Sequence, residues 1–127
     1  MDYIALLKGP YMIGLLFIII GLLQKYLPPK NINTWYGYRS AASRVSQQTW
    51  DEANNYSSTF MIKAGIVVLL LGYIIYMLTR LLTSDSDIRQ MISYFILFGG
   101  ALGIGAFTAA ATERHLRRTF KPKKKRK

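Results

Sequence analysis

Three stretches of the chain are apolar and almost free of charge, and polar segments separate them. A helix rises 1.5 Å per residue, so about 20 apolar residues are needed to cross a bilayer, a few less where flanking Lys or Arg snorkel. The first candidate span covers 9–27. Its heart, Tyr11 to Leu23, carries no charged side chain, Lys8 and Lys25 flank it, Pro10 suits a first helical turn and Pro28-Pro29 ends it. Tyr3 to Leu7 can add an oblique turn before it. A cleavable signal peptide is not expected, because no small-residue cleavage site follows and the segment ahead is hardly basic. The second span covers about 60–82 and the third about 91–112, the latter 22 residues without a charge. As soluble helices, three such stretches in 127 residues would leave almost no polar surface to solvate them. The pattern predicts an all-α integral membrane protein with three transmembrane helices in one domain, 1–120, followed by a tail, 121–127.

Small residues mark where helices can approach in lipid, which supplies no hydrophobic drive between them. Gly14 and Gly21 share a face of the first span, and Gly65 and Gly72 share a face of the second. Gly99, Gly103, Ala106 and Ala110 form one stripe of the third. These stripes can join the three helices of one chain or two copies as a homodimer. The run Gly99 to Gly105 has the glycines of a phosphate-binding loop, but it lies inside an apolar span with no strand before it, so that reading fails.

Charge sets the orientation. The formal net charge is +11, and the last fourteen residues carry nine Lys or Arg. With the loop between the first two spans, one side holds fourteen basic residues and the other three, Lys8, Arg80 and Arg89. The positive-inside rule then puts the 28–59 loop and the C-terminus in the cytoplasm and the N-terminus outside. The tail residues Lys121, Lys123, Lys124, Lys125, Arg126 and Lys127 are expected to bind anionic lipid, at about 1 kcal/mol for each basic side chain near the surface. A nucleic-acid role is not expected, since no reading surface accompanies the basic run.

Candidate chemistry is sparse. The chain has no cysteine and one histidine, His115, among Arg114, Arg117 and Arg118. No paired carboxylates, nucleophile–base set or metal cluster appears, so neither catalysis nor a cofactor is expected. The informative segment is the loop. Gly37 can take a backbone conformation closed to other residues, and Trp35, Tyr36 and Tyr38 suit the membrane–water interface. Ser46 can cap a helix. Trp50, Asn54, Ser57, Met61 and Ala64 then recur on one helical stripe, which predicts a single helix over 47–82 whose first turns protrude from the membrane.

The string Asn33-x-x-x-Gly37-Tyr38-Arg39-Ser40, then Ser43, then Trp50-x-x-Ala53-Asn54, resembles the signature of the SdpI family of small bacterial membrane proteins. The close at Thr112-Glu113-Arg114-His115-Leu116, with Phe120 beyond, is similar to that family's ending. The resemblance covers about 14–120, with Ser46 standing where the family usually has Asn. It implies a multi-pass protein of the bacterial cell membrane. By analogy it also implies a non-enzymatic immunity or signalling role: resistance to a membrane-active peptide toxin, with a cytoplasmic repressor as a second partner. A small transporter or accessory subunit of a membrane complex is the other reading.

Two site expectations follow from the residues. Arg39 either faces lipid phosphate or forms a buried pair with Glu113 at the end of the third span. Trp50 and Asn54, one turn apart, either anchor the helix and cap loop backbone groups or line a small polar pocket with Tyr38 and Arg39.

Overall fold

The computed structural model describes residues 9–120 and contains three helices: α1, Met12–Tyr26; α2, Gln47–Leu82; and α3, Ser86–Thr119. Among the described residues there is no strand. Tyr3 to Leu7 and the basic tail from Lys121 lie outside the described residues.

Helix α1 is shorter than its apolar pattern. The Gly9 carbonyl accepts from the Met12 N–H at 3.1 Å, so Pro10 occupies a turn ahead of the helix. At the other end Leu27 has φ −121° and ψ 62°, outside the helical region, as expected for a residue preceding proline. Its 15 residues span about 22 Å at 1.5 Å each, less than the ~30 Å of a hydrocarbon core. Helices α2 and α3 are long and apolar enough to cross a membrane, and only 11% and 17% of their most apolar windows is buried inside the molecule. The core helix of a soluble protein would show the opposite.

Helix α2 begins where its cap predicts. The Ser46 hydroxyl accepts from the Thr49 N–H at 3.2 Å, and the Thr49 hydroxyl accepts from the Ser46 N–H at 2.9 Å, so two backbone donors are satisfied reciprocally. Helix α3 outruns the expected 91–112 at both ends. Asp85 caps it through bonds from the Asp87 and Ile88 N–H groups. Charges at Asp87, Arg89 and Arg114 end an apolar run without ending a helix.

The α1–α2 seam is built on glycine. A Cβ on Gly14 would lie 2.4 Å from the Leu69 nitrogen and 2.5 Å from the Gly65 oxygen, and one on Gly21 would lie 2.9 Å from the Ser58 oxygen. One on Gly72 would meet the Tyr11 backbone at 2.7 Å. These pairings run in opposite directions along the two helices, so α1 and α2 are antiparallel with their backbones nearly touching. Tyr11 closes the far end of the seam, its ring edge-on to Tyr73 and Tyr76.

The small-residue stripe of α3 behaves differently. A Cβ on Gly99 or Gly103 would meet nothing within 4 Å. The residues that α3 buries are Ile104, Thr108, Thr112 and Leu116, a stripe about half a turn round the helix from Gly99 and Gly103 at 3.6 residues per turn. The stripe expected to pack α3 therefore faces away from its own bundle. On the buried stripe Thr108 and Thr112 satisfy their hydroxyls within the helix, each folding back onto the carbonyl four residues earlier at 2.7 Å. Helix α3 lies mainly against α2 and touches α1 little, and no residue before Ile104 in it is fully buried.

Candidate functional site

The loop between α1 and α2 folds into the end of the helix pair and is fastened by a knot of hydrogen bonds centred on Asn54. Asn54 is buried, and its side-chain oxygen accepts from the Tyr38 N–H at 2.6 Å while its amide donates to the Trp50 carbonyl at 2.9 Å. From α1, the two donors of the Gln24 amide are shared among the Asn54 carbonyl, the Asn54 side-chain oxygen and the Ser57 hydroxyl, at 3.1, 3.2 and 2.8 Å. Trp50 is wholly buried, and its indole N–H donates to the Pro29 carbonyl at 2.9 Å. One turn of α2 thus ties down both ends of the loop's first half. Among the described residues every buried side-chain nitrogen and oxygen has a partner, as a stable buried polar network requires.

Gly37 is dictated twice over. Its φ is +94°, a region that L side chains rarely adopt. A Cβ there would also stand 2.4 Å from the Asn54 side-chain oxygen and 2.6 Å from the Pro29 ring. The Asn33 side-chain oxygen accepts from the Trp35 and Tyr36 N–H groups at 3.0 and 2.8 Å, forming the turn before it. The Tyr36 hydroxyl donates back to the Leu27 carbonyl at 2.8 Å. Ser43 is also buried, and its hydroxyl lies within reach of the Tyr38 and Ser40 carbonyls. Trp35, by contrast, is 79% exposed and free to meet the surroundings of the bundle.

The geometry therefore draws Asn33, Tyr36, Gly37, Tyr38, Ser43, Trp50 and Asn54 together, and Trp50 and Asn54 serve loop backbone groups. Arg39 stands apart. Its guanidinium donates to the Thr34 carbonyl and does not pair with Glu113. The Tyr38 hydroxyl takes that partner, lying 3.1 Å from the Glu113 carboxylate and 3.2 Å from the Ala109 carbonyl. Of these two neighbours the phenol is the side chain that reaches α3, while the guanidinium turns back onto the loop's own Thr34. Burial first, then the Glu113 carboxylate, pushes the Tyr38 hydroxyl up to about 12, so it remains a donor near neutral pH.

A second clasp joins α2 to α3. The His115 Nε2 lies 2.6 Å from the Glu52 carboxylate, and its ring stacks on Tyr56 at 4.1 Å with 9° between planes. Gln24 and this Glu52–Tyr56–His115 cluster are absent from the sequence-based site. Gln24 had a signal, being the polar residue three positions beyond Gly21 on the face that packs. The cluster had none, because its partners are 63 residues apart.

Two adjoining cavities flank Tyr38. One, of about 460 Å³, is an apolar groove between α1 and α3 lined by Phe17, Ile20, Leu23, Met61 and Gly105, among others. The other, of about 470 Å³, is a shelf lined by Thr34, Arg39, Ser40 and Arg44. Both are bordered by Gly37, Tyr38 and Ala109.

A Bacillus subtilis (strain 168) protein called "Uncharacterized protein YfhL" is 47% identical over 73 residues, which is 54% of this chain. The match spans 66% of that relative's length. No solved structure matches the chain. Residues 30–112, which hold Tyr38, Trp50 and Asn54, Glu52 and Tyr56 of the second clasp and the buried α3 hydroxyls, match the SdpI/YfhL protein family, and the chain belongs to that family.

Proposed function

We propose that this chain is a non-enzymatic, three-span protein of the bacterial cell membrane that gives immunity to, or senses, a membrane-active peptide. The single observation that carries the reading is family membership over residues 30–112. Three spans are favoured because α1, though short, lies along α2 and exposes Leu15, Leu16, Ile19, Ile20, Leu22 and Leu23, an apolar face suited to lipid. The asymmetry of Lys and Arg favours a cytoplasmic loop and C-terminus and an external N-terminus. Only residues 83–85 connect α2 to α3, too few for a peptide-binding surface outside. A toxin is therefore met within the bilayer, and a cytoplasmic repressor meets the loop end. The tail adds attraction to anionic lipid, and the outward stripe of Gly99 and Gly103 suits a second copy. Transport is less favoured: among the described residues no Asp, Glu, Lys or Arg is buried, whereas ion and substrate pathways carry such residues inside.

Expression in a strain sensitive to a membrane-active peptide tests the reading. Survival that rises with the wild-type chain and not with Gly37→Ala supports it, and unchanged killing counts against it. A C-terminal reporter active only outside the cell would overturn the topology.

A further inference from the structure

The groove and the shelf meet at Gly37, Tyr38 and Ala109 and have opposite chemistry. Phe17, Ile20 and Leu23 follow each other at three-residue steps along one face of α1, and Met61 of α2 forms the floor. Gly105 on α3 contributes no side chain, and a Cβ there would meet nothing within 4 Å, which leaves the groove its width. Towards the far end the walls converge, Ile13 reaching to 3.3 Å of where a Gly100 Cβ would be. The polar residues in the groove make no demand on an occupant. Gln24 is spent on Asn54 and Ser57, Ser57 on the Asn54 carbonyl and Thr108 on the Ile104 carbonyl. A surface of that kind accepts hydrocarbon.

The shelf has the reverse character. Arg39 and Arg44 line it with Thr34 and Ser40, and no acidic residue lines it. Arg39 commits a donor to the Thr34 carbonyl and Arg44 its Nε to the Ser40 carbonyl at 3.4 Å. Each guanidinium carries five N–H donors, so most stay available to an anion. The Glu113 carboxylate does not line the shelf and accepts from the Tyr38 hydroxyl at 3.1 Å. Except for Ala109, the shelf is lined by residues of the loop between α1 and α2.

We propose that this composite cavity binds one anionic phospholipid, its phosphate on Arg39 and Arg44 and one acyl chain in the groove along α1. The size of each half falls within the range of about 300–1,000 Å³ usual for ligand sites. Basic pockets beside membrane helices select anionic headgroups in this way, and guanidinium–phosphate bonds are charge-assisted and often bidentate. The bound chain fills the gap that α3 leaves beside α1, and the lipid becomes the third wall of the bundle. The proposal rests on the membrane-spanning reading and is independent of immunity, so loss of toxin protection leaves it standing.

The full-length chain, purified in mild detergent and titrated with dioleoyl phosphatidylglycerol or dioleoyl phosphatidylcholine, tests it by native mass spectrometry. The expected result is one phosphatidylglycerol retained about tenfold more tightly than phosphatidylcholine. Replacing Lys121, Lys123, Lys124, Lys125, Arg126 and Lys127 by Gln leaves that lipid bound, while Arg39→Gln with Arg44→Gln loosens it at least tenfold. Gly105→Phe, which fills open space, lowers retention of phosphatidylglycerol with helix content unchanged by circular dichroism. Equal retention of the two lipids overturns the proposal. So does loss in the tail variant with retention in the Arg variant, or unchanged binding in Gly105→Phe.

Discussion

The two helix contacts of this small bundle are made by different means. Helices α1 and α2 meet backbone to backbone, with Gly14, Gly21, Gly65 and Gly72 each standing where a Cβ would collide with main chain or a side chain of the opposite helix or of the turn that leads into it. Helix α3 is applied through its later half, by Ile104, Thr108, Thr112 and Leu116 and by two polar clasps at the loop end. A close glycine seam draws on dispersion along its whole length and has no adjustable part. A helix held by a phenol, a histidine and a few hydroxyls can tilt about that end. The fixed pair is the platform on which the loop folds, and the more loosely held helix closes one side of the groove.

The contrast can be broken from either side. Gly14→Val should have the largest effect, since the obstructing atoms are backbone and only separation of the helices relieves the clash. A loss of about 3 kcal/mol, the upper end of overpacking costs, is expected in denaturant titrations of the detergent-solubilised protein. Gly37→Ala comes next at about 2 kcal/mol, from the positive φ and from displacement of the Asn54 oxygen, and the Trp50 fluorescence should shift as Pro29 is pushed away.

Tyr38→Phe costs about 1 kcal/mol, the net worth of a typical hydrogen bond, and sharpens the comparison through pH. Because the Tyr38 hydroxyl is raised to about 12 in the folded chain against about 10 when unfolded, its contribution is whole below pH ~10. It is lost as pH climbs towards 12. The wild type should therefore lose stability relative to Tyr38→Phe across that window, and parallel curves would contradict the clasp. The smallest effect belongs to Gly103→Leu, within about 0.5 kcal/mol, because its Cβ points into open space.

Much of this was legible in the chain, and what was hidden has a common cause. Ser46 marks the start of α2 and the Trp50 stripe marks its buried face, because caps and helical periodicity are local. Gly37 announced an unusual backbone for the same reason. Periodicity also shows that Gly99 and Gly103 share a face, but not that the face looks outward. Which side of a helix meets its neighbour is decided by the neighbour. The partner of Glu113 is 75 residues away, and charge alone suggested Arg39 where geometry gives Tyr38. Helix ends diverged from hydropathy at Ser86 and Thr119, since apolarity tracks the bilayer and backbone bonding continues beyond it.

The central claim is that α1 and α2 form a fixed pair while α3 is held chiefly by its loop-end clasps. The chain has no cysteine, so spin labels can be placed without background at the exposed positions Leu16, Leu70 and Leu102. Pulsed electron–electron resonance in lipid nanodiscs should give a narrow Leu16–Leu70 distance distribution, unchanged by Tyr38→Phe combined with Glu52→Gln. In the same double variant the Leu16–Leu102 distribution should broaden. Equal broadening of both pairs, or an unchanged Leu16–Leu102 distribution, would contradict the account.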